Sequence, residues 1–174
     1  MLNPAPWMQH LLQVSMPPLP VYSENLPLRQ AREQFLAANN FRVEDYSAAA
    51  YTVKILGVPL KFPNTKAHQW ATPLHDLHHI LTGYRPDWIG EAEIGAWELR
   101  AGCKTLVVYW LDLSGVVIGI LLSPQRVWRA FRAARGCRTL YRNPQLVAPL
   151  LQMTVGEARA ALGIPPGGIN GVGQ

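Results

Sequence analysis

Apolar positions recur at helical intervals through most of this chain, interrupted once by an alternating stretch, and this pattern predicts a mainly α fold. Leu28, Ala31, Phe35 and Leu36 fall on one face while Arg29, Arg32 and Glu33 lie off it, so Leu28 to Asn39 is expected to be a helix stopped by the Asn39-Asn40 pair. The segment AYTVKILGVPLKF alternates in its first half and is rich in β-branched and aromatic residues, which predicts a short hairpin near residues 51–62. Its turn is placed at Gly57-Val58, and Pro59, which has no N–H to donate, makes the second strand an edge. Helical periodicity resumes at His68, breaks at Gly83 to Asp87 and continues to Ala101. Pro124 suits the first turn of a further helix that runs through an arginine-rich segment to Gly136. Thr154 and Glu157 have the spacing of a capping box, opening a last helix that Gly163 and Pro165 close.

Lys104 to Ser123 is the most apolar part of the chain. Its core of about eighteen residues approaches the length that spans a bilayer. Asp112 at its middle would cost roughly 2.5–3.5 kcal/mol there, and Ser114, Gly115 and Gly119 lower its hydrophobicity further. A central buried helix is therefore expected, with a membrane span or a helix lining a lipid tunnel as the alternatives. Proline recurs through residues 1–27, which read as an arm; residues 28–163 form the compact domain, and residues 164–174, rich in Gly and Pro, read as a flexible tail.

With 174 residues and 49% hydrophobic positions, the chain supports one sizeable core and not two typical domains. Six Trp, six Tyr and four Phe argue against wholesale disorder. Cys103 and Cys137 have neither the spacing of a zinc knuckle nor the density of a disulfide scaffold, so reduced thiols are expected. The first twenty residues lack an early basic group and a sustained apolar run, so no export signal is expected and a cytoplasmic location follows. The net charge of +5 is local in origin: no acid lies between Asp112 and Glu157, a gap holding Arg126, Arg129, Arg132, Arg135, Arg138 and Arg142. Three-residue steps wind these arginines around a helix, and they carry no nucleic-acid recognition motif, so no nucleic-acid partner is expected. The arginines read either as a solvated helix face whose aliphatic stems cover Trp128 and Phe131, or as a contact of Arg126, Arg129, Arg132 and Arg135 with anionic lipid at the inner face of a cell membrane.

The chemistry concentrates in HDLHHILTGYRPDWIGE, residues 75–91. On a helix advancing about 100° per residue, His75, Asp76 and His79 share one side. Gly83 and Pro86 break that helix and Asp87 can cap a second one, so Glu91 folds back toward the histidines. Two imidazoles with two carboxylates suit a transition-type ion, zinc by default with iron as the alternative, because calcium and magnesium prefer oxygen alone. His78 lies off this side, and Glu98 follows Glu91 by two turns on the same face. Both are candidates to orient a ligand or the substrate, with packing for His78 and a surface role for Glu98 as the alternatives.

The run His75, Asp76, His79 and, after eleven intervening residues, Glu91 resembles the HDxxH-x11-E signature of the Coq-four family of ubiquinone biosynthesis, and HDLHHILTGY and GEAEIGAWEL read like its short bacterial members. The close match covers about residues 68–101. The resemblance implies a helical, membrane-peripheral protein that binds zinc at those four positions and holds a polyprenyl lipid or quinone precursor, working with other ubiquinone-biosynthesis proteins. The implied reaction is loss of the ring carboxylate of a polyprenylated hydroxybenzoate coupled to hydroxylation of the same carbon. The chain is short for the family and lacks its usual N-terminal glycine and tyrosine motif.

Two rival readings remain at this level. One is an isoprenoid-binding scaffold in which a structural metal staples two helices. The other is an HD-type phosphohydrolase, which would need His68 and Asp112 as further ligands.

Overall fold

The computed structural model describes residues 22–55, 58–103, 113 and 116–169. The chain is mainly helical with one small antiparallel sheet, in the order α1 (Leu28–Ala38), a 3-10 turn (Val43–Ser47), β1 (Ala50–Ile55), β2 (Val58–Pro63), α2 (Lys66–Thr82), α3 (Trp88–Gly102), α4 (Pro124–Ala133), α5 (Val147–Leu150) and α6 (Val155–Leu162). Residues 116–122 are also helical. Leu28, Ala31, Phe35 and Leu36 are the buried residues of α1, as the apolar spacing predicts.

β1 and β2 pair from Ala50 opposite Pro63 to Ile55 opposite Val58. Val58 is thus a strand residue rather than part of the turn, a correction of one position. Residues 56 and 57, with Gly57 of the expected turn, lie outside the described set, as do residues 104–112, 114 and 115, which include Asp112 and most of the apolar segment.

The part of that segment that is described departs from the expected buried helix. Val116 and Gly119 face inward, a Cβ on Gly119 falling 2.2 Å from that of Ala92, but Val117, Ile118, Ile120 and Leu121 are exposed, Leu121 to 80%. Among the described residues no helix is long and apolar enough to cross a membrane. α4 ends at Ala133, so Arg135, Arg138 and Arg142 lie beyond the helix that was expected to carry the arginines to Gly136.

The two ends of the described chain close over α2 and α6. Thr154 caps α6 in a complete capping box, and Gly163 ends it in the left-handed conformation. Leu28 N–H donates to the Met153 carbonyl and Val155 N–H to that of Leu26, docking residues 22–27 beside α6. Residues 164–169, read above as flexible tail, also pack: Ile164 is buried and Ile169 N–H donates to the Thr82 carbonyl over 2.7 Å. Arg159, 1% exposed, donates through Nε to the Leu81 carbonyl at the end of α2 and pairs with Glu24, which also accepts from Gly167 N–H. A buried guanidinium with carboxylate and carbonyl partners satisfies the last carbonyls of α2, the helix that carries the histidines.

Candidate metal centre

α2 starts at Thr65, whose hydroxyl accepts from His68 N–H, and ends at Gly83, which adopts φ 81°, a conformation that costs glycine nothing. The chain then turns back, and the Asp87 side chain caps α3 by accepting from Gly90 N–H at 2.8 Å. This corner is tight: a Cβ on Gly90 would lie 2.0 Å from the Arg85 carbonyl oxygen. The result is an antiparallel helix pair with Glu91 and Glu98 of α3 facing His75, His78 and His79 of α2, as the break and cap predict.

Three of the four expected ligands converge. His75 Nε2 lies 3.0 Å from His79 Nε2 and 3.1 Å from Glu91 Oε2, while His79 Nε2 lies 3.2 Å from Glu91 Oε1. One donor atom from each residue falls within 4.8 Å of the other two. Nitrogen and oxygen donors at zinc distances and tetrahedral angles are about 3.3 Å apart, so the triangle is close to the size an ion needs.

The other ring nitrogens explain why these three point inward. His79 Nδ1 lies 2.9 Å from the Tyr84 carbonyl, which can only accept, so Nδ1 carries a proton and Nε2 is the ring atom turned toward the other donors. Phe35 stacks on the same ring at 5.8 Å. His75 Nδ1 lies 3.1 Å from both oxygens of Glu98, a carboxylate with no exposed side-chain surface. His78 Nδ1 meets Glu98 Oε1 at 2.5 Å, and its Nε2 accepts from Leu140 N–H at 2.9 Å. His78 is therefore a neutral ring with its proton on Nδ1, facing away from the donor triangle. It anchors Glu98, which orients His75, and burial lowers its pKa.

The charges fit a cation site. Burial opposes ionisation of Glu91, but the His79 and His75 rings beside it outweigh this and hold its carboxyl well below the usual carboxylate range. Glu98 is likewise lowered against burial, chiefly by His75. His75 is raised well above the ordinary histidine value, because Glu98 and Glu91 overcome the cost of burying its charge. Without a metal, a proton on His75 Nε2 supplies the positive charge between His79 and Glu91. Access is from one side: the His75 and Glu91 side chains are 22% and 42% exposed, that of His79 only 1%.

Asp76 does not join the converging donors. Its Oδ2 accepts from the Tyr46 hydroxyl at 2.5 Å, and it is 5% exposed. Burial pushes its carboxyl above the ordinary value, against the pull of that hydrogen bond. The expected fourth ligand is thus held by a residue thirty positions earlier, a pairing that no local pattern displays. His68, needed by the phosphohydrolase reading, stacks on Tyr51 at 4.1 Å and bonds Asn64 through Nδ1 at 2.8 Å, apart from the donor cluster. Arg126, one of the expected lipid contacts, is tied to Glu93 by two bonds of 2.8 and 2.7 Å.

Comparison with family models, curated proteins and solved structures finds no match to this chain.

Proposed function

We propose that this chain is a metal-dependent enzyme of the Coq-four type, binding one zinc or iron ion through His75, His79 and Glu91. The proposed reaction is removal of the ring carboxylate of a polyprenylated hydroxybenzoate with hydroxylation at the same carbon. The observation that carries the metal reading is the convergence of the two Nε2 atoms and one carboxylate while both Nδ1 atoms are engaged by protein acceptors. The match of His75, Asp76, His79 and Glu91 to the HDxxH-x11-E signature supports the reaction class.

His75, His79 and Glu91 would hold a divalent ion, which would supply a Lewis acid for a carboxylate or phenolate oxygen and for the charge left as carbon dioxide departs. The chain's own residues prepare that chemistry. Glu98 and the Tyr84 carbonyl fix the two imidazoles, and Glu91 supplies the negative charge that favours a cation. The hydroxylation half also requires an external two-electron oxidant such as dioxygen. Three converging protein donors with an exposed edge support a catalytic site over the scaffold reading, since structural zinc is commonly closed by four protein ligands.

The test is complementation of a strain that lacks the corresponding ubiquinone-biosynthesis function. Wild type is expected to restore quinone synthesis and Glu91→Ala to fail. Equal rescue by both would support the scaffold, and no rescue by wild type would contradict the proposed substrate.

A further inference from the structure

We propose that Tyr46 is a positioning residue that keeps Asp76 out of the coordination set, leaving a position for substrate at the metal. This rests on the metal reading above and concerns what determines whether the site is open or closed.

Asp76 follows His75 directly on α2 and precedes His79 by three residues, so it is on the same turn of helix as two of the donors, while its carboxylate stays outside their cluster. A fourth protein ligand of this kind would complete a tetrahedral shell and exclude substrate. Among the described residues, Tyr46 is the side chain that hydrogen-bonds this carboxylate, and a short phenol-to-carboxylate bond is among the stronger contacts available to it.

Tyr46 is itself held in place by independent contacts. Asn64, 7% exposed, donates to the carbonyls of Tyr46 at 3.2 Å and Ala48 at 2.8 Å, and its Oδ1 bonds His68 Nδ1 at 2.8 Å. The 3-10 turn carrying Tyr46 is therefore tied to the first turn of α2. The Arg32 guanidinium lies over the Tyr46 ring, 5.8 Å from its centre. Removal of the phenol oxygen leaves a buried carboxylate without its donor, next to a site that attracts cations. Coordination of the metal would satisfy it, in competition with a proton.

The experiment titrates the metal-free full chain with Co2+, reading its visible absorption with and without azide, a small anion that occupies an open coordination position. Tyr46→Phe is expected to bind Co2+ roughly tenfold or more tightly, the scale on which surrounding groups shift metal affinity, and to lose the azide response. Asp76→Asn in the Tyr46→Phe background is expected to cancel both effects, and Asp76→Asn alone to leave wild-type affinity little changed. Weaker Co2+ binding by Tyr46→Phe would show that Tyr46 instead orients Asp76 as a ligand, and unchanged affinity and azide response would also overturn the proposal. If circular dichroism shows that Tyr46→Phe fails to fold, Asp76→Asn alone decides: retained affinity supports the proposal and a large loss overturns it. A wild-type chain that takes up no Co2+ defeats the metal reading itself.

Discussion

Glu98→Gln changes one atom type at the base of the site, and its effects follow from the donors around that side chain. The carboxylate accepts from His75 Nδ1 at 3.1 Å and from His78 Nδ1 at 2.5 Å with no exposed side-chain surface. Glutamine keeps an oxygen at the Oε1 position, which accepts from both rings, but replaces Oε2 with an NH2 group 3.1 Å from His75 Nδ1, so a donor faces a donor and a buried N–H is left without an acceptor. Leaving such a buried group unsatisfied costs about 1–3 kcal/mol. For a chain of this size each kcal/mol shifts the melting temperature by about 2–4 °C, so Tm of the metal-free protein should fall by about 2–12 °C. Metal affinity should fall by about 10–100-fold, because His75 loses the group that orients its ring and raises its basicity. Calorimetric melting of the metal-free variant and a zinc titration measure the two effects separately. A variant with wild-type Tm and wild-type affinity would refute the role of Glu98 as the acceptor behind His75.

The pH dependence follows from His75. Its folded pKa lies above its unfolded value of about 6.5, so its contribution to stability is fully present below that pH and lost as pH rises through the higher folded value. Tm of the metal-free protein should therefore fall on going alkaline while zinc affinity rises, since zinc displaces the same proton; flat profiles would contradict this. Glu91 and Glu98 have the opposite sign, contributing above about pH 4.3 and losing that contribution on acidification through their lowered values. Gly90→Ala should destabilise the fold by about 1–3 kcal/mol and reduce metal retention, because the Arg85 carbonyl must move and Glu91 is the next residue; denaturant unfolding and metal analysis check both. The exposed Leu121, Ile118 and Trp128 lie near Arg129 and Arg132 in sequence and predict salt-sensitive cosedimentation with anionic vesicles, each arginine adding roughly 1 kcal/mol. Arg129→Glu with Arg132→Glu should weaken this binding, and equal binding to neutral vesicles would contradict it.

The helical character, the hairpin and the corner between α2 and α3 were legible because each depends on local chemistry. The i, i+4 spacing puts His75 and His79 on one face, Gly83 stops one helix, and Asp87 starts the next, bringing Glu91 back. Glu98 was legible as a candidate through its two-turn spacing from Glu91. The fate of Asp76 was not, because helix geometry places it beside His75 and His79 but says nothing of Tyr46, which arrives from the Val43–Ser47 turn. The role of His78 was not legible for the same reason: its anchor, Leu140 N–H, lies 62 positions away. The apolar run before Pro124 misled in another way. A hydrophobic pattern predicts burial only when something covers it, and Val117, Ile118, Ile120 and Leu121 remain on the surface.

Metal analysis of the purified chain after zinc exposure and desalting, alongside His79→Ala, tests the central claim most directly. His79 is the buried member of the donor triangle, and its substitution removes a nitrogen that lies within 3.2 Å of both partners. The account predicts about one zinc per wild-type chain, as a mononuclear site requires, and loss of most of it in His79→Ala, with the variant's Tm no longer raised by zinc. Full zinc content and an undiminished zinc-dependent rise in Tm for His79→Ala would contradict the account.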